Sequence, residues 1–394
     1  MAAASTRAAA GVTVMPVLLA ASAGHFLNDV VQSVLLAIYP LIKAPLDLDY
    51  AQIGLITLAF QLTASILQPV VGLYTDKRPL PYSLPVGMAS TLAGVLTLAF
   101  AQSFADVLLA AVLIGLGSAV FHPEASRVAR LAAGGRYGFA QSLFQVGGNT
   151  GQAVAPLLVA LVVLPNGQAH AAWFALAALL GIALLAYVGR WYSTHLAQRR
   201  RSGPPPATAS PVPARRVATS IAILVALTFS KNVYAAAFSS YYAFFLIERF
   251  QLSVAHAQIH LFVFLGAVAA GTMLGGPLGD RIGRKPILWL SILGVLPLSL
   301  TLPFLPLWAT AVAAVLVGLI MASAFPAIVV YAQELLPGRV GLVGGLFFGF
   351  AFGTGGIGAA AVGVLADAQG IETAFRLCAL LPAIGLLVAF LPDL

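Results

Sequence analysis

Charge is what this sequence has least of. Only 8% of its 394 residues are Asp, Glu, Lys or Arg, against about 25% in soluble domains. Hydrophobic residues make up 60%. No soluble fold hides that much apolar surface, so the expected solvent is lipid, where one span takes about 20 apolar residues. Counting domains by length therefore does not apply. Cysteine is nearly absent, and Cys378 alone excludes an internal disulfide framework. No metal-binding cluster, phosphate loop or nucleotide site is legible, which argues against ATP-driven pumping and predicts neither metal nor cofactor. The net charge of +8 does not point to nucleic acid, because the basic residues sit in short loops, as they do when they orient a membrane protein.

What is present is a series of apolar runs separated by Gly, Pro and charged clusters. They predict spans near 14–42, 51–75, 83–101, 104–132, 138–163 and 170–192, then 217–247, 255–279, 286–304, 307–334, 340–366 and 372–391. Between the two sets of six lies "STHLAQRRRSGPPPATASPVPARR", polar and rich in Arg and Pro, which cannot span. The expected organisation is an all-α membrane protein of twelve helices. Residues 1–193 form one six-helix bundle, 194–216 a linker, and 217–394 a second bundle. Arg7, the apolar run after it and "ASA" before Gly24 resemble a cleaved signal peptide. The apolar run continues to Ile42, however, and the internal repeat needs it, so it is read as span one.

Orientation follows from Lys and Arg. With the N-terminus inside, Lys77, Arg78, Arg130, Arg136, Arg190, Arg199 to Arg201, Arg215, Arg216, Arg281, Arg284, Lys285 and Arg339 all fall on the cytoplasmic side. Only Lys43, Arg249 and Arg376 fall outside. Both termini and the linker are therefore expected in the cytoplasm of a bacterial inner-membrane protein, taken to be a monomer.

The halves repeat. "GLYTDK" at 72–77 matches "GPLGDR" at 276–281, and "GGRYGFAQSLF" at 134–144 matches "PGRVGLVGGLF" at 337–347. Phe121 and Phe325 open "FHP" and "FPA", and Tyr39 pairs with Tyr242, all at an offset of about 204 residues. Several matches at one offset indicate a duplicated six-span unit, whose substrate site is expected near the midplane between the halves.

Ionisable residues inside a membrane cost at least about 2.5–3.5 kcal/mol on insertion scales and are functional by default. Loops aside, they are Asp29, Glu124, Arg127 and Lys231, with His25 and His122. In "AGHFLNDVVQS" His25, Asp29 and Gln32 share one helix face. A carboxylate whose cationic neighbour comes and goes can load and release a proton. Asp29 is thus a candidate for proton coupling, with His25 able to share the proton. The bland alternative is a hydrogen-bonded structural Asp.

Glu124 and Arg127 stand at i, i+3 after His122 and Pro123. They form either a structural salt bridge or a second proton site, with Arg127 gripping an anion. Lys231 lies at the repeat position of Asn28, and Asn232 at that of Asp29. An acid and a base are therefore expected to face one central cavity, whether as a locking ion pair or with Lys231 contacting an anionic substrate. Tyr234, Phe238 and Tyr241 continue the Lys231 face. In span five Gln141, Gln145, Asn149 and Gln152 form a polar stripe, of which Gln145 and Asn149 are expected to line the cavity. Gln61, Ser65 and Gln68 in span two form another. Such stripes can line the cavity and bind a hydroxamate, or can equally be interhelical hydrogen bonds, worth about 0.6 kcal/mol each.

"GPLGDRIGRK" resembles the loop signature of the major facilitator superfamily. Gly276, Asp280, Arg281, Gly283, Arg284 and Lys285 carry it in the second half, and Gly72, Asp76 and Lys77 in the first. The resemblance implies a gate: glycines let helix ends approach, and the aspartate caps a neighbouring helix and pairs with Arg. A plain tight turn is the alternative. "GGNTGQAVAP", with Gly147, Gly148, Gly151 and Pro156, resembles the family's antiporter motif, although Ala155 stands where glycine is usual. A further departure is Ala111, where many of the family's exporters place arginine. The stretches "GHFLNDVVQSVLLAIYPLI", "FQLTASILQPVVGLYTDKRP", "FHPEASRVAR", "GGRYGFAQSLFQVGGN" and "RWYS" resemble the fosmidomycin-resistance group of bacterial exporters, and the second half does so more thinly through "LTFSKNVY". This resemblance implies proton-driven export of a small anionic phosphonate by alternating access.

The rival readings are a symporter importing an organic anion, a non-transporting receptor or scaffold, and an acyltransferase built on H-x-x-x-D at His25 and Asp29. The last motif is two residues deep, so no catalytic residue is assigned. The expected partners are protons, a small anionic substrate and the bilayer.

Overall fold

The computed structural model describes residues 12–42, 45–48, 50–201, 212–252 and 254–393. Arg7, Lys43 and residues 202–211 of the linker lie outside this set. The chain crosses the membrane twelve times in the major facilitator fold. Span one is Met15–Ala37 continued by the single turn Tyr39–Ile42, and span two is Tyr50–Lys77. Spans three and four are Ser83–Ala99 and Phe104–Ala132. Span five joins Tyr137–Leu158 to Val159–Val163, and span six joins Gln168–Trp173 to Phe174–Arg201. The second half begins with Ala214–Phe250 and Val254–Ile282 as spans seven and eight. Span nine runs from Arg284 to Phe304 in four short helical pieces, and span ten combines Leu307–Ala322 with Ala324–Leu335. Span eleven is Val340–Gln369, and span twelve combines Ile371–Cys378 with Leu381–Phe390.

The breaks have local causes. Pro297 and Pro303 interrupt span nine and Pro382 interrupts span twelve; each removes a backbone donor, and a tighter turn takes over. Ser103 starts span four by accepting from the Asp106 amide at 3.3 Å, while the Asp106 carboxylate takes the Gln102 amide at 3.0 Å. The linker is shorter than its composition suggests. Span six runs on through "STHLAQRRR" to Arg201, and span seven starts at Ala214 rather than 217. Those segments are polar but hold no helix breaker, and a helix leaving the bilayer is not obliged to end there.

Among the described residues the halves meet at the end that carries the two loop motifs. There span two lies against span eleven and span five against span eight. Gly341, Gly345 and Gly349 form one row on span eleven, and a Cβ at these positions would overlap Gly72, the carbonyl of Gln68 and the carbonyl of Ser65, respectively. Only glycine lets the backbones come this close. Farther along, Gly353 and Gly355 have nothing within 4 Å. On the other side of the molecule Gly276 meets the Gly138 carbonyl, and Asn149 donates to Thr272 at 3.2 Å, whereas Gly266 meets nothing within 4 Å.

The apolar core follows the same division. One core runs unbroken from Val17, Leu35 and Ile114 in the first half into Ile287, Ile328 and Phe347 at the motif end of the second. The opposite end of the second half has a separate core around Phe238, Tyr242, Phe264 and Phe375. The molecule is therefore closed at the motif end, and its halves diverge toward the other.

A Gly345→Leu exchange should wedge that seam. With cysteines replacing the exposed Lys77 and Arg339 and serine replacing Cys378, a short bismaleimide is expected to cross-link the parent chain and to lose most of its yield in the Gly345 variant. Equal yields would show that the glycine row does not set the closure.

Candidate functional site

Two constellations hold the intramembrane charges other than Lys231. The first surrounds Asp29, which is 2% exposed. Gln152 of span five donates to its Oδ2 at 2.7 Å, and Asn28 donates to Oδ1 at 3.1 Å. His25 places Nε2 at 3.5 Å from Oδ2, and His122 of span four places Nε2 at 4.0 Å from Oδ1. The other ring nitrogen of each histidine fixes its tautomer. His25 Nδ1 lies 2.8 Å from the Phe144 carbonyl, and His122 Nδ1 lies 3.1 Å from the Ser118 carbonyl. A carbonyl only accepts, so both Nδ1 atoms carry hydrogen and donate. In neutral rings the two Nε2 atoms would then turn lone pairs toward a carboxylate. Such a meeting of acceptors is repulsive unless a cation lies among them. His25, Asp29 and His122 are the one group of three or more His, Cys, Asp or Glu among the described residues whose donor atoms all lie within 4.8 Å of one another. The smallest cation that satisfies them is a proton.

The glycines of "GGNTG" make room for this group. A Cβ on Gly148 would overlap the His25 ring and stand 2.9 Å from Asp29 Oδ2. Those of Gly147 and Gly151 would overlap the carbonyls of Ser22 and Phe26 in span one. Ala155 is fully buried on the same helix. Pro156 belongs to that helix too, with its side chain outside the described set.

The second constellation lies at the motif end. Asp76 accepts from the amides of Gly341 and Leu342, both at 2.9 Å, so a carboxylate of the first half caps span eleven of the second. Asp280 accepts from the amides of Gly138 and Phe139, again both at 2.9 Å, and caps span five. The two caps are reciprocal, as the repeat dictates. Each has an arginine. Arg127 reaches Asp76 at 2.6 Å and Arg284 reaches Asp280 at 2.6 Å. Arg127 also donates to the Thr75 carbonyl and lies 3.4 Å from Glu124, and Arg284 lies 3.4 Å from Glu334. Gly283 has φ +97°, a left-handed turn natural to glycine, where the chain passes from span eight to nine. Lys77 and Arg281 are exposed at the surface, and Lys285 pairs with Asp393 at 3.2 Å.

The structure departs from the sequence expectations in three places. Arg127, read as either an anion grip or half of a structural salt bridge, has both terminal guanidinium nitrogens engaged by the latch. Lys231 does not share a chamber with Asp29. Asp29 borders a cavity of about 190 Å³ with Gln32, Gln61 and Gln152. Lys231 borders a void of about 10 Å³ inside the second bundle, with Ser291 and Met321. Its ammonium stands 5.1 Å from the centre of the Phe325 ring. Phe325 in turn meets Phe348 at 5.1 Å, and Phe348 meets His122 at 5.2 Å, so two aromatic rings separate base from acid. The repeat itself explains this. Lys231 matches Asn28, one residue round the helix from Asp29, and Asn28 is fully buried while Lys231 is half-buried. Lastly, Phe238 and Tyr234 belong to the core of the second bundle, where Phe238 stacks on Phe264 at 4.6 Å and Tyr234 donates to Ser299 at 2.7 Å. Tyr241 is half-buried. Asn232 donates to the Thr228 carbonyl at 2.8 Å, Gln145 is half-buried, and Asn149 bridges the halves through Thr272.

A sequence model of the Major Facilitator Superfamily matches residues 21–255 and 227–394. The chain belongs to the major facilitator superfamily. It is a multi-pass membrane transporter of that family, not an enzyme. It groups with the fosmidomycin resistance protein of Escherichia coli (strain K12), being 57% identical over 375 residues that cover 95% of this chain and 92% of that one. It is 44% identical over 386 residues to YfnC of Bacillus subtilis (strain 168), an uncharacterized transporter of the same type, covering 97% and 94%. Among solved structures it resembles the transporter FucP in the outward conformation, with a TM-score of 0.74 at 19% identity, over 97% of this chain and all of that one. At that identity the likeness concerns the family's fold.

Several participants carried no role in the sequence reading. Phe325 and Phe348 read as ordinary apolar residues, and Gln152 as one member of a stripe. The amides at 138–139 and 341–342 lie in the repeated "GGRYGF" and "PGRVGL" segments, and that repetition was the available signal.

The packing at Gly148 can be tested directly. Gly148→Ala forces a methyl group into the His25 ring, an overpacking cost of about 1–3 kcal/mol. Gly355→Ala adds one where nothing lies within 4 Å. Thermal unfolding in detergent is expected to show a clear drop in Tm for the first and none for the second. Equal behaviour would remove Gly148 from its role as the notch for His25.

Proposed function

We propose that this protein is a proton-coupled antiporter of the bacterial inner membrane. It exports a small anionic drug or metabolite of the fosmidomycin-like phosphonate type by alternating access. The observation that carries the coupling is the convergence of His25, Asp29 and His122 around a place that suits a cation. The named relative from Escherichia coli supports the substrate class, and the glycine stretch at 147–151 supports antiport.

In this reading the motif end, both termini and the linker are cytoplasmic, the protein works as a monomer, and the conformation described is the outward-facing one. A proton arrives from outside through the cavity beside Asp29 and settles among the carboxylate and the two imidazoles. Span four carries the consequence to the latch. It presents His122 to Asp29 and, past Pro123, presents Glu124 and Arg127 toward Asp76. The proton turns the repulsion between Asp29 and His122 into a hydrogen bond, span four shifts toward span one, and Arg127 loosens from Asp76. Glu124 is the second acid of the path, placed to hold Arg127 once Asp76 is released. The halves then separate at the cytoplasmic end. As span eleven moves it withdraws Phe348 and uncovers Lys231, which attracts the anionic head of the substrate. Binding returns the proton to the cytoplasm, and the halves rock back.

Proton flux in proteoliposomes on addition of fosmidomycin tests the scheme. Wild-type protein is expected to move protons opposite to the drug, and Asp29→Asn to abolish pH-driven transport. Retained pH-driven transport in that variant removes Asp29 from the coupling, and flow of both species in one direction makes the protein a symporter. For substrate contact, Lys231→Ala is expected to weaken binding of the anionic drug about tenfold or more, the usual scale for a charge-assisted hydrogen bond. Unchanged affinity would remove Lys231 from the substrate path.

A further inference from the structure

The cavity beside Asp29 has a chemistry that the antiporter reading does not use. Three carboxamides from three different spans border it: Gln32 of span one, Gln61 of span two and Gln152 of span five. Ser33 and Ser118 add hydroxyl groups, and Phe60 forms part of an apolar wall. Of the residues that border it, one is charged, and that charge is negative. Gln32 is 7% exposed, and its Nε2 has no hydrogen-bond partner among the described residues. A buried amide left so is destabilising, and a bound ligand can remove that cost. Gln152 is already committed to Asp29 by its 2.7 Å hydrogen bond, so the unspent donor belongs to Gln32.

An anionic head is repelled here by Asp29 and finds no cation to meet it. A carboxamide wall instead matches a group that presents an acceptor beside a donor, because each amide offers both. We propose that this cavity is the subsite for the neutral, hydrogen-bonding end of the substrate, a hydroxamic acid or carboxamide, and that Gln32 determines specificity for it. The substrate then lies with this end in the first half and its anionic head toward Lys231 in the second. The proposal rests on the antiporter reading for the second pole only. The selectivity follows the known asymmetry of polar sites: a site built to bond a polar group rejects the analogue lacking it, because its own buried groups are left unpaired.

Titration calorimetry on the detergent-purified full chain tests this with two probes, fosmidomycin and propylphosphonate, which keeps the phosphonate and the chain but lacks the hydroxamate. The wild type is expected to bind fosmidomycin at least tenfold more tightly than propylphosphonate. Gln32→Leu should erase that difference while leaving propylphosphonate affinity within twofold, and Gln61→Leu should act in the same direction. Wild-type-like binding of fosmidomycin by Gln32→Leu overturns the subsite. So does an equal loss for both probes, since that is the mark of a structural residue. Acetohydroxamic acid, followed by saturation-transfer NMR, separates this proposal from the reading it builds on. If neither phosphonate binds while acetohydroxamic acid binds in a Gln32-dependent way, the subsite stands and the phosphonate reading fails. If acetohydroxamic acid does not bind either, both fail.

Discussion

A carboxylate taken out of water has to be answered by positive charge or by donors, and the architecture of this transporter depends on how three of them are answered. Asp76 and Asp280 are answered by the first amides of helices in the opposite half. Each therefore loses two of its donors when the halves part at that end and keeps the arginine of its own half. An anion at a helix N-terminus is worth about 0.3–1 kcal/mol, rising to about 2 kcal/mol when partly buried. Two such caps are a modest lock, which suits a joint that has to open repeatedly. Asp29 is answered differently, by two side-chain amides of its own bundle, with two imidazoles facing it. Its partners do not tie the halves together; they make a site whose occupancy by a cation can change.

Span four links the two arrangements. Within six residues it supplies His122 to the first and Glu124 and Arg127 to the second, with Pro123 between. Its neighbour across the interface is span eleven, whose amide end is held by Asp76 and whose Phe348 lies against His122. The element released when the latch opens is thus the one that screens Lys231 from the Asp29 group. Glycine makes the whole arrangement possible, because Gly341, Gly345 and Gly349 bring span eleven close enough for its first amides to reach Asp76.

Much of this was legible in the sequence, and the rest was not for identifiable reasons. Eleven of the twelve spans lie within a few residues of their expected places, since Gly, Pro and charge punctuate apolar runs strongly, and span six overruns its expected end. The linker was overestimated because a polar helix end reads like a loop. His25 beside Asp29 follows from helical spacing alone, but His122 joins them from a different span, which spacing does not report. Arg127 was placed on substrate because its neighbour Glu124 is local in sequence, whereas Asp76 and Thr75, which take its donors, come from span two. Tyr234 and Phe238 share the Lys231 face as expected, but periodicity does not say whether a face looks into the cavity or into its own bundle, and here it is the bundle. The cysteine-poor composition meant little for function, while the shortage of charge meant a great deal, because it left so few residues to explain.

The claim at the centre is that the two aspartate caps hold the motif end shut. Double electron–electron resonance measures it directly, with labels on cysteines replacing the exposed Arg136 and Arg281, in a chain whose Cys378 is replaced by serine. The account gives one short distance for the parent and a growing population of longer distances once Asp76→Asn and Asp280→Asn are combined. An unchanged distance distribution in the combined variant would contradict it.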